Sequence, residues 1–255
     1  MERARLTRYG LLSVTGEDAR AFLHAQLTKD IENLPPDRAA LAGWCSAKGR
    51  LLASLLVIPA AQGFLLQLAR DLAPGVARKL SMFILRAKVR IADVSETWAQ
   101  LGVWGDGATG PADPNGISHQ GNIITVHVGD ARYLVLGPAN EVALAPTTGE
   151  ERWTLQEIRA GRPLITAATQ DKFVPQMVNF DELGAVDFRK GCYPGQEIVA
   201  RAQYRGQVKR RMQLLQAPPG VELQPGGKFE GGTVVDVAPA ESGSALLAVM
   251  PIDAA

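Results

Sequence analysis

The residue with the clearest capacity for chemistry is a cysteine, Cys192, which lies in the stretch Lys190–Glu197. Two glycines in this stretch leave the backbone free to form a tight loop. Lys190 precedes the thiol, and a helix start is predicted at Gln196, so positive potential on both sides favours the reactive thiolate. The alternative is that Cys192 is a small apolar residue buried in a loop, as free cysteines often are.

A run of five positive charges follows this stretch with no acidic residue between them. Its members are Arg201, Arg205, Lys209, Arg210 and Arg211. Such a patch suits a polyanionic ligand tail, an RNA backbone or an acidic partner. The alternative is a pair of solvated strand faces around a turn at Arg205. A single neighbouring tyrosine is too little aromatic surface for a base-stacking platform.

The composition excludes several classes of protein. The chain has 255 residues, with 27 Lys+Arg against 26 Asp+Glu. A net charge of +1 argues against a dedicated nucleic-acid or membrane-surface binder, although it leaves a local patch open. The longest apolar stretch, residues 51–61, is shorter than the roughly 20 residues that a membrane helix needs. No apolar signal core follows the basic N-terminus, so we expect a soluble, cytoplasmic protein.

Cysteine and histidine spacing predicts no metal site. Cys45 and Cys192 are far apart and form no C-x-x-C pair. His24, His119 and His127 have no Cys, Asp or Glu at ligand or triad spacing. The sequence therefore predicts neither a closed zinc site nor a complete four-cysteine iron–sulfur site.

Short apolar runs and helical patterns alternate irregularly along the chain. Thr15, with Asp18 three residues later, predicts a capped helix that continues to about Asp30. Further helices are predicted after Asp71 and over residues 153–160. Strands are predicted over residues 39–45, 51–58, 64–69, 88–94, 99–104, 123–128, 133–136, 233–237 and 245–249. Without a regular βαβ rhythm, this pattern indicates a mixed α+β architecture.

A family resemblance enters at the cysteine loop. The K-G-C-[FY]-x-G-Q-E signature of the YgfZ family is similar to residues 190–197, which read K-G-C-Y-P-G-Q-E. Other stretches that resemble this family are residues 16–30, 44–50, 83–91, 173–179 and 197–201. Together they cover most of residues 10–211, whereas the end of the chain resembles the family only in being rich in β-structure.

The resemblance implies an aminomethyltransferase-like α+β fold. In that fold two α+β lobes surround a central folate cavity, and a small C-terminal β-barrel follows. We expect a first lobe at residues 1–95, a second lobe with the signature loop at 96–216, and a barrel-like tail at 217–255, with interleaving of the two lobes allowed.

The resemblance also implies a function. Members of this family are folate-binding accessory proteins that assemble or repair iron–sulfur clusters and thereby support tRNA modification. The residues that it assigns to this role are Lys190, Gly191, Cys192, Gln196 and Glu197, with Cys192 as the reacting thiol. The expected partners are iron–sulfur enzymes or cluster carriers, with a weak tRNA contact through the basic run, and the chain is expected to be a monomer. Two cysteines are too few to hold a cluster alone, so the thiol is expected to act on a partner's cluster or a shared one.

Tetrahydrofolate, or another reduced folate, is the cofactor that the resemblance implies. Tyr9 and Trp153 occupy the positions of the family's aromatic folate contacts, and flat apolar faces suit a pterin ring. Arg159 stands where relatives often have glutamate. A cation there is expected to contact the anionic folate tail but cannot accept hydrogen bonds from the pterin edge, so either folate affinity is weak or other residues hold the pterin. The candidates for this are Asn179, Asp181 and Glu157. The alternatives are a core position for Trp153 and an amphipathic surface position for Tyr9.

One departure from the wider aminomethyltransferase pattern bears on catalysis. Relatives have an acidic pair where this chain has Ala53 and Ser54. Neither residue takes up a proton as a carboxylate does, so we do not expect the glycine-cleavage reaction. Two other functions stay open: a folate-dependent aminomethyl- or methyltransferase with an altered catalytic group, and a direct tRNA-binding module based on the basic run.

Overall fold

The structure is a computed structural model that describes residues 1–204 and 208–252. These residues form a mixed α+β fold, as predicted. The strands are β1 Glu2–Arg5, β2 Tyr9–Thr15, β3 Ala40–Cys45, β4 Leu51–Ala60, β5 Gly63–Ala69, β6 Arg90–Asp93, β7 Trp98–Trp104, β8 Ile117–Gln120, β9 Ile123–Gly129, β10 Arg132–Pro138, β11 Arg210–Ala217, β12 Lys228–Phe229, β13 Gly232–Pro239 and β14 Ser244–Pro251. The helices are α1 Ala19–Gln26, α2 Ala73–Ser81, α3 Glu150–Arg159 and α4 Gln196–Tyr204, with a 3₁₀ turn at Pro175–Val178.

Three antiparallel sheets organise these strands. Their orders are β1-β7-β10-β9-β8, β3-β4-β5-β2-β6 and β11-β14-β13-β12. The chain divides into two compact units, each built from separate segments. The first unit consists of Met1–Phe22, Glu32–Ala40 and Leu56–Trp153, and the second of Leu23–Ile31, Leu41–Leu55 and Thr154–Ala255. The division predicted at residues 95 and 216 stays a prediction.

Alternating apolar residues build the core of the first unit. Ala99, Leu101 and Val103 of β7 point to one face and are buried with Tyr133 and Val135 of β10, as the two-residue period of a strand requires. On the other face, Gly102 leaves room for the ring of Trp153, because a Cβ on that glycine would stand 2.7 Å from Trp153 Cζ3.

The second unit ends in a four-stranded, curled half-barrel sheet. Both strands predicted in the tail are present, as β13 and β14, and each extends further than predicted. Ala217, Val234, Leu246 and Ala248 form its buried cluster.

The first helix is shorter than predicted and begins differently. Thr15 is the last residue of β2, and the Asp18 carboxylate accepts a hydrogen bond from the Lys88 N–H (2.7 Å). The predicted capping pair is therefore wrong. The helix ends at Gln26 rather than near Asp30, because the next residues pair with β3: the Thr28 N–H donates to Gly43 O (2.9 Å). Long-range pairing here overrides local helical periodicity.

Four short elements were not predicted: β1, β8, β12 and the 3₁₀ turn. None has more than four residues, so none offers enough residues for a periodic pattern. No helix in the described part of the chain is long and apolar enough to cross a membrane.

Candidate functional site

The cysteine loop packs directly on the turn between β3 and β4. Gly195 and Gly49 both have positive φ, 80° and 67°. A Cβ on Gly195 would stand 2.7 Å from the backbone N of Gly49 and closer still to Ser46 O, and a Cβ on Gly49 would stand 2.8 Å from Ile198 Cβ. The loop and the turn therefore touch through glycines that no other residue could replace without displacement. Helix α4 begins at Gln196, as predicted.

The turn is itself tied to the segment around Asp171. Ser46 Oγ donates to Asp171 Oδ1 (2.9 Å), and Arg50 Nη1 donates to Lys172 O (2.7 Å). The Leu51 N–H donates to Phe173 O (2.8 Å). Three of the stretches that resemble the YgfZ family thus meet within the second unit.

Lys190 anchors the start of the loop. Its side chain is buried, and Nζ donates to His24 O and to Leu27 O, the second at 2.6 Å. These carbonyl oxygens lie at the end of α1, so the ammonium binds to that helix end. Burial lowers the Lys190 pKa to about 8, against the opposing charges of Asp30, Asp187 and Cys192.

Tyr193 anchors the loop on the other side of the cysteine. It is buried, its ring centroid lies 4.9 Å from Lys190 Nζ, and burial raises its phenol pKa. Cys45 is buried too, which raises the pKa of its thiol to about 12. Cys45 therefore stays a thiol at neutral pH and is inert.

Cys192, in contrast, is exposed. The alternative in which it is a buried apolar residue is therefore wrong. It stands between two buried anchors, Lys190 and Tyr193, and a Cys192 thiolate attracts the Lys190 ammonium. The arrangement presents a thiol at a fixed place, next to a cation, where a partner can reach it. Gly191 and Glu197 are also exposed, and Gln196 is half-buried.

Sequence spacing indicated no acidic partner for His24, but the fold provides one. His24 Nδ1 lies 3.1 Å from Asp30 Oδ1. Asp30 itself is fixed because its N–H donates to Asp187 Oδ2 (2.8 Å), which also pairs with Lys29 Nζ (3.1 Å). These residues adjoin the cysteine loop although 166 positions separate His24 from Lys190, so no local pattern could reveal the cluster.

Helix α4 and strand β11 are held by polar side chains of the 3₁₀ turn and of the residue that follows it. Gln176 Nε2 donates to Val199 O of α4 (2.7 Å), and Asn179 Nδ2 donates to Met212 O of β11 (3.0 Å). The amide of Asn179, a predicted folate contact, is thus engaged within the protein.

The residues of the basic run differ in exposure and in ion pairing. Arg211 forms a two-point ion pair with Asp181 (2.9 and 2.7 Å) and a further one with Glu182 (3.1 Å). The expectation of five uncompensated charges is therefore wrong at Arg211. Arg201 is exposed on helix α4 rather than on a strand, and Lys209 is exposed. Arg205 lies outside the described residues.

Arg210 lies between these extremes. It is half-buried, and its Nη2 donates to Gly231 O (2.9 Å). Its guanidinium is thereby turned toward the loop before β13, which leaves Arg201 and Lys209 as the most open cations of the described part of the run.

The two aromatic residues predicted to contact folate lie in the first unit, and both are buried. Trp153 is 2% exposed and packs over Gly102. Its ring centroid lies 5.6 Å from that of Trp104. The Arg8 guanidinium lies over the ring of Tyr9, 5.9 Å from the ring centroid. The surface position considered for Tyr9 is wrong. Arg159, the third predicted contact, is exposed at the end of α3 in the second unit.

The two residues at the positions of the acidic pair lie inside the protein. Ala53 and Ser54 are buried, and Ser54 Oγ accepts a hydrogen bond from the Ile165 N–H (2.9 Å). Across residues 1–204 and 208–252, no group of three or more His, Cys, Asp or Glu side chains is arranged to hold a metal ion.

Comparisons with known proteins show what this chain is similar to. Residues 6–110 match the GCVT N-terminal domain. A tRNA-modifying protein YgfZ from Pectobacterium carotovorum subsp. carotovorum is 30% identical, over 93% of this chain and 80% of that protein. Another from Serratia proteamaculans is 31% identical, over 91% and 79%.

The fold has a solved counterpart. Glycine cleavage system aminomethyltransferase T from Bartonella henselae matches with a TM-score of 0.73, at 16% identity, over 98% of this chain and 78% of that one. The chain thus has the predicted aminomethyltransferase-like fold. The sequence matches to the two YgfZ proteins over most of its length show that the chain belongs to the YgfZ family.

Proposed function

We propose that this chain supports the modification of tRNA and that Cys192 is its reacting group. The names of its relatives suggest the role. The observation that carries the assignment is the contrast within the loop, where an exposed Cys192 stands between buried, anchored Lys190 and Tyr193. A loop that served only packing would have no need to fix a solvent-facing thiol.

The finer proposal is that the thiol acts in the assembly or repair of iron–sulfur clusters in enzymes that modify tRNA. Of the chain's two cysteines only Cys192 is exposed, and one thiolate cannot supply the four ligands of a typical cluster. The cluster is therefore a substrate held mainly by a partner, either an iron–sulfur enzyme or a cluster carrier, and Cys192 contacts it or a thiol beside it.

Nucleoside analysis tests the coarse role, and enzyme assays test the finer one. In cells that lack the native gene, we expect this chain to restore the modified-nucleoside content of bulk tRNA and the activity of iron–sulfur enzymes. Restoration of tRNA modification without any effect on iron–sulfur enzymes would remove the cluster proposal and keep the tRNA role.

We propose reduced folate as a ligand on the basis of the aminomethyltransferase-like fold alone. The aromatic pair does not fit a stacked pterin as placed, because Trp153 is 2% exposed and its ring packs on Gly102 and Trp104. No step of the thiol chemistry is therefore routed through folate. Equilibrium dialysis with tetrahydrofolate tests this ligand: we expect binding that Trp153→Phe leaves unchanged, whereas absence of binding would exclude folate.

The transferase alternative gains no support from positions 53 and 54. Both side chains are buried, and the Ser54 hydroxyl oxygen accepts a backbone hydrogen bond. A proton-transfer group would have to come from elsewhere in the chain. Turnover of a methylene donor by the purified protein would establish that alternative.

A further inference from the structure

The imidazole of His24 lies between a carboxylate and the backbone that carries Cys192. On one side, Nδ1 is 3.1 Å from Asp30 Oδ1. On the other, Nε2 is 3.5 Å from the point where a Cβ on Gly191 would stand. Gly191 immediately precedes Cys192, so the ring borders the reactive loop directly.

The carboxylate determines which ring nitrogen accepts a proton. Nδ1 within hydrogen-bond reach of Asp30 carries the hydrogen, which places the lone pair of the neutral ring on Nε2. Asp30 is held in place because its own N–H donates to Asp187 Oδ2 (2.8 Å). The proton-accepting nitrogen therefore points toward the Gly191 side of the ring.

Lys190 is the other basic group beside the loop, but its geometry suits a different role. Its ammonium donates to the carbonyl oxygens of His24 and Leu27, and an ammonium has no lone pair with which to accept a proton. Near pH 7, below its pKa of about 8, Lys190 is mostly protonated, and its positive charge stabilises an anion nearby.

We propose that His24 accepts the proton of the Cys192 thiol and that Asp30 is the residue that positions it. The proton moves from Sγ to Nε2 and leaves a thiolate and an imidazolium, without oxidation or reduction. Asp30 stabilises the imidazolium and Lys190 the thiolate. The other charged groups of the cluster, Lys29 and Asp187, pair with each other (3.1 Å) and leave its net charge unchanged. The inference rests on the proposed function of Cys192 as the reacting thiol.

The rate at which iodoacetamide alkylates the full chain tests this proposal. Buried Cys45 contributes little, and the background is measured on Cys192→Ala. We expect His24→Gln to slow alkylation at pH 7 about tenfold, because glutamine cannot accept the proton. At pH 9.5, where hydroxide ionises the thiol unaided, the variant should match the wild type. Asp30→Asn should show the same pattern to a smaller extent, and His119→Gln, an exposed histidine of the first unit, should show no change.

Two results would overturn the proposal. One is an unchanged rate at pH 7 in both His24→Gln and Asp30→Asn. The other is an equal change at pH 7 and pH 9.5, which would mean that the substitutions only loosen or tighten the loop. The proposed function fails separately: if Cys192→Ala still restored tRNA modification in cells, the proton transfer would stand as a property of the loop without that biological role.

Discussion

Neighbouring residues of the cysteine loop have opposite environments, and this contrast determines their roles. Lys190 and Tyr193 are buried, whereas Cys192 between them is exposed. Burying an ammonium costs free energy unless its donors are satisfied, and two carbonyl oxygens at the end of α1 accept two of its three hydrogen bonds. Lys190 therefore acts as a structural cation that also supplies charge beside the thiol.

At this scale, replacing Lys190 should destabilise the fold. Lys190→Met leaves the carbonyls of His24 and Leu27 without their donor, so we expect the free energy of unfolding to fall by about 2 kcal/mol in urea denaturation. Arg189→Met is the matched control: Arg189 is exposed, and its loss should change stability by less than about 0.5 kcal/mol. Equal effects would show that the Nζ contacts do not stabilise the loop.

The buried thiol of Cys45 makes stability depend on alkaline pH. Burial raises the pKa of this thiol to about 12 in the folded state, from an ordinary value of about 9.0. Above pH 9 the folded state therefore binds more protons than the unfolded state. The stability that the Cys45 thiol contributes is complete below pH 9 and is lost as pH rises toward 12. Between pH 8 and 10.5, wild type should lose about 2 kcal/mol more than Cys45→Ala in urea denaturation. Equal losses of stability in the wild type and in Cys45→Ala would contradict the role of this thiol.

Among the elements, the contact between the cysteine loop and the β3–β4 turn positions the thiol. It depends on two glycines, because a Cβ on Gly195 would stand only 2.6 Å from the α-carbon of Gly49. The turn is fixed in turn by side chains that reach residues 171–173. Helix α4 follows the loop at once, so a change in this contact displaces both the thiol and the helix.

A pair of glycine substitutions separates steric contact from backbone strain. Gly195 and Gly161 have similar positive φ, 80° and 65°, but only Gly195 has backbone atoms where a Cβ would stand. We expect Gly161→Ala to cost about 1 kcal/mol and Gly195→Ala about 3 kcal/mol or more. Thermal unfolding measures both, and similar costs would refute the close packing of loop and turn.

Local signals predicted the elements better than the contacts between them. The start of α4 at Gln196 and the strands of the tail follow from residue patterns that lie within each element. The end of α1 does not, because pairing of Thr28 with Gly43 ends the helix. The His24–Asp30 pair was missed for a related reason: the short spacing crosses a helix end, where helical periodicity no longer applies.

For the whole molecule, a net charge of +1 conceals an uneven distribution. Arg211 is neutralised by Asp181 and Glu182, whereas Arg201 and Lys209 remain exposed. The open part of the basic run is therefore smaller than the sequence indicated. We therefore expect any tRNA contact through Arg201 and Lys209 to be weak.

Salt titration of tRNA binding tests this contact. We expect weak affinity at low salt, and each of Arg201→Gln and Lys209→Gln should weaken it and reduce the slope of log K against log salt by about 1. Lys79→Gln, an exposed cation of α2 outside the run, serves as the control and should leave the slope unchanged. Equal effects of all three substitutions would show that binding is not localised to the run.

The fold is shared with an aminomethyltransferase, but the chemistry that we propose resides in one loop of the second unit. Buried residues hold this loop from the end of α1, from the β3–β4 turn and from the 3₁₀ turn beneath α4. All three contacts fix the loop that presents the exposed thiol. Its removal should leave the fold intact while abolishing function.

The most direct measurement is the modified-nucleoside content of bulk tRNA in cells that lack the native gene and carry Cys192→Ala. Cys45→Ala is the matched control, because it removes the other, buried thiol. We predict that Cys45→Ala restores modification to the wild-type level and that Cys192→Ala, expressed equally and folded, restores none. Full restoration by Cys192→Ala would contradict the central role of this thiol.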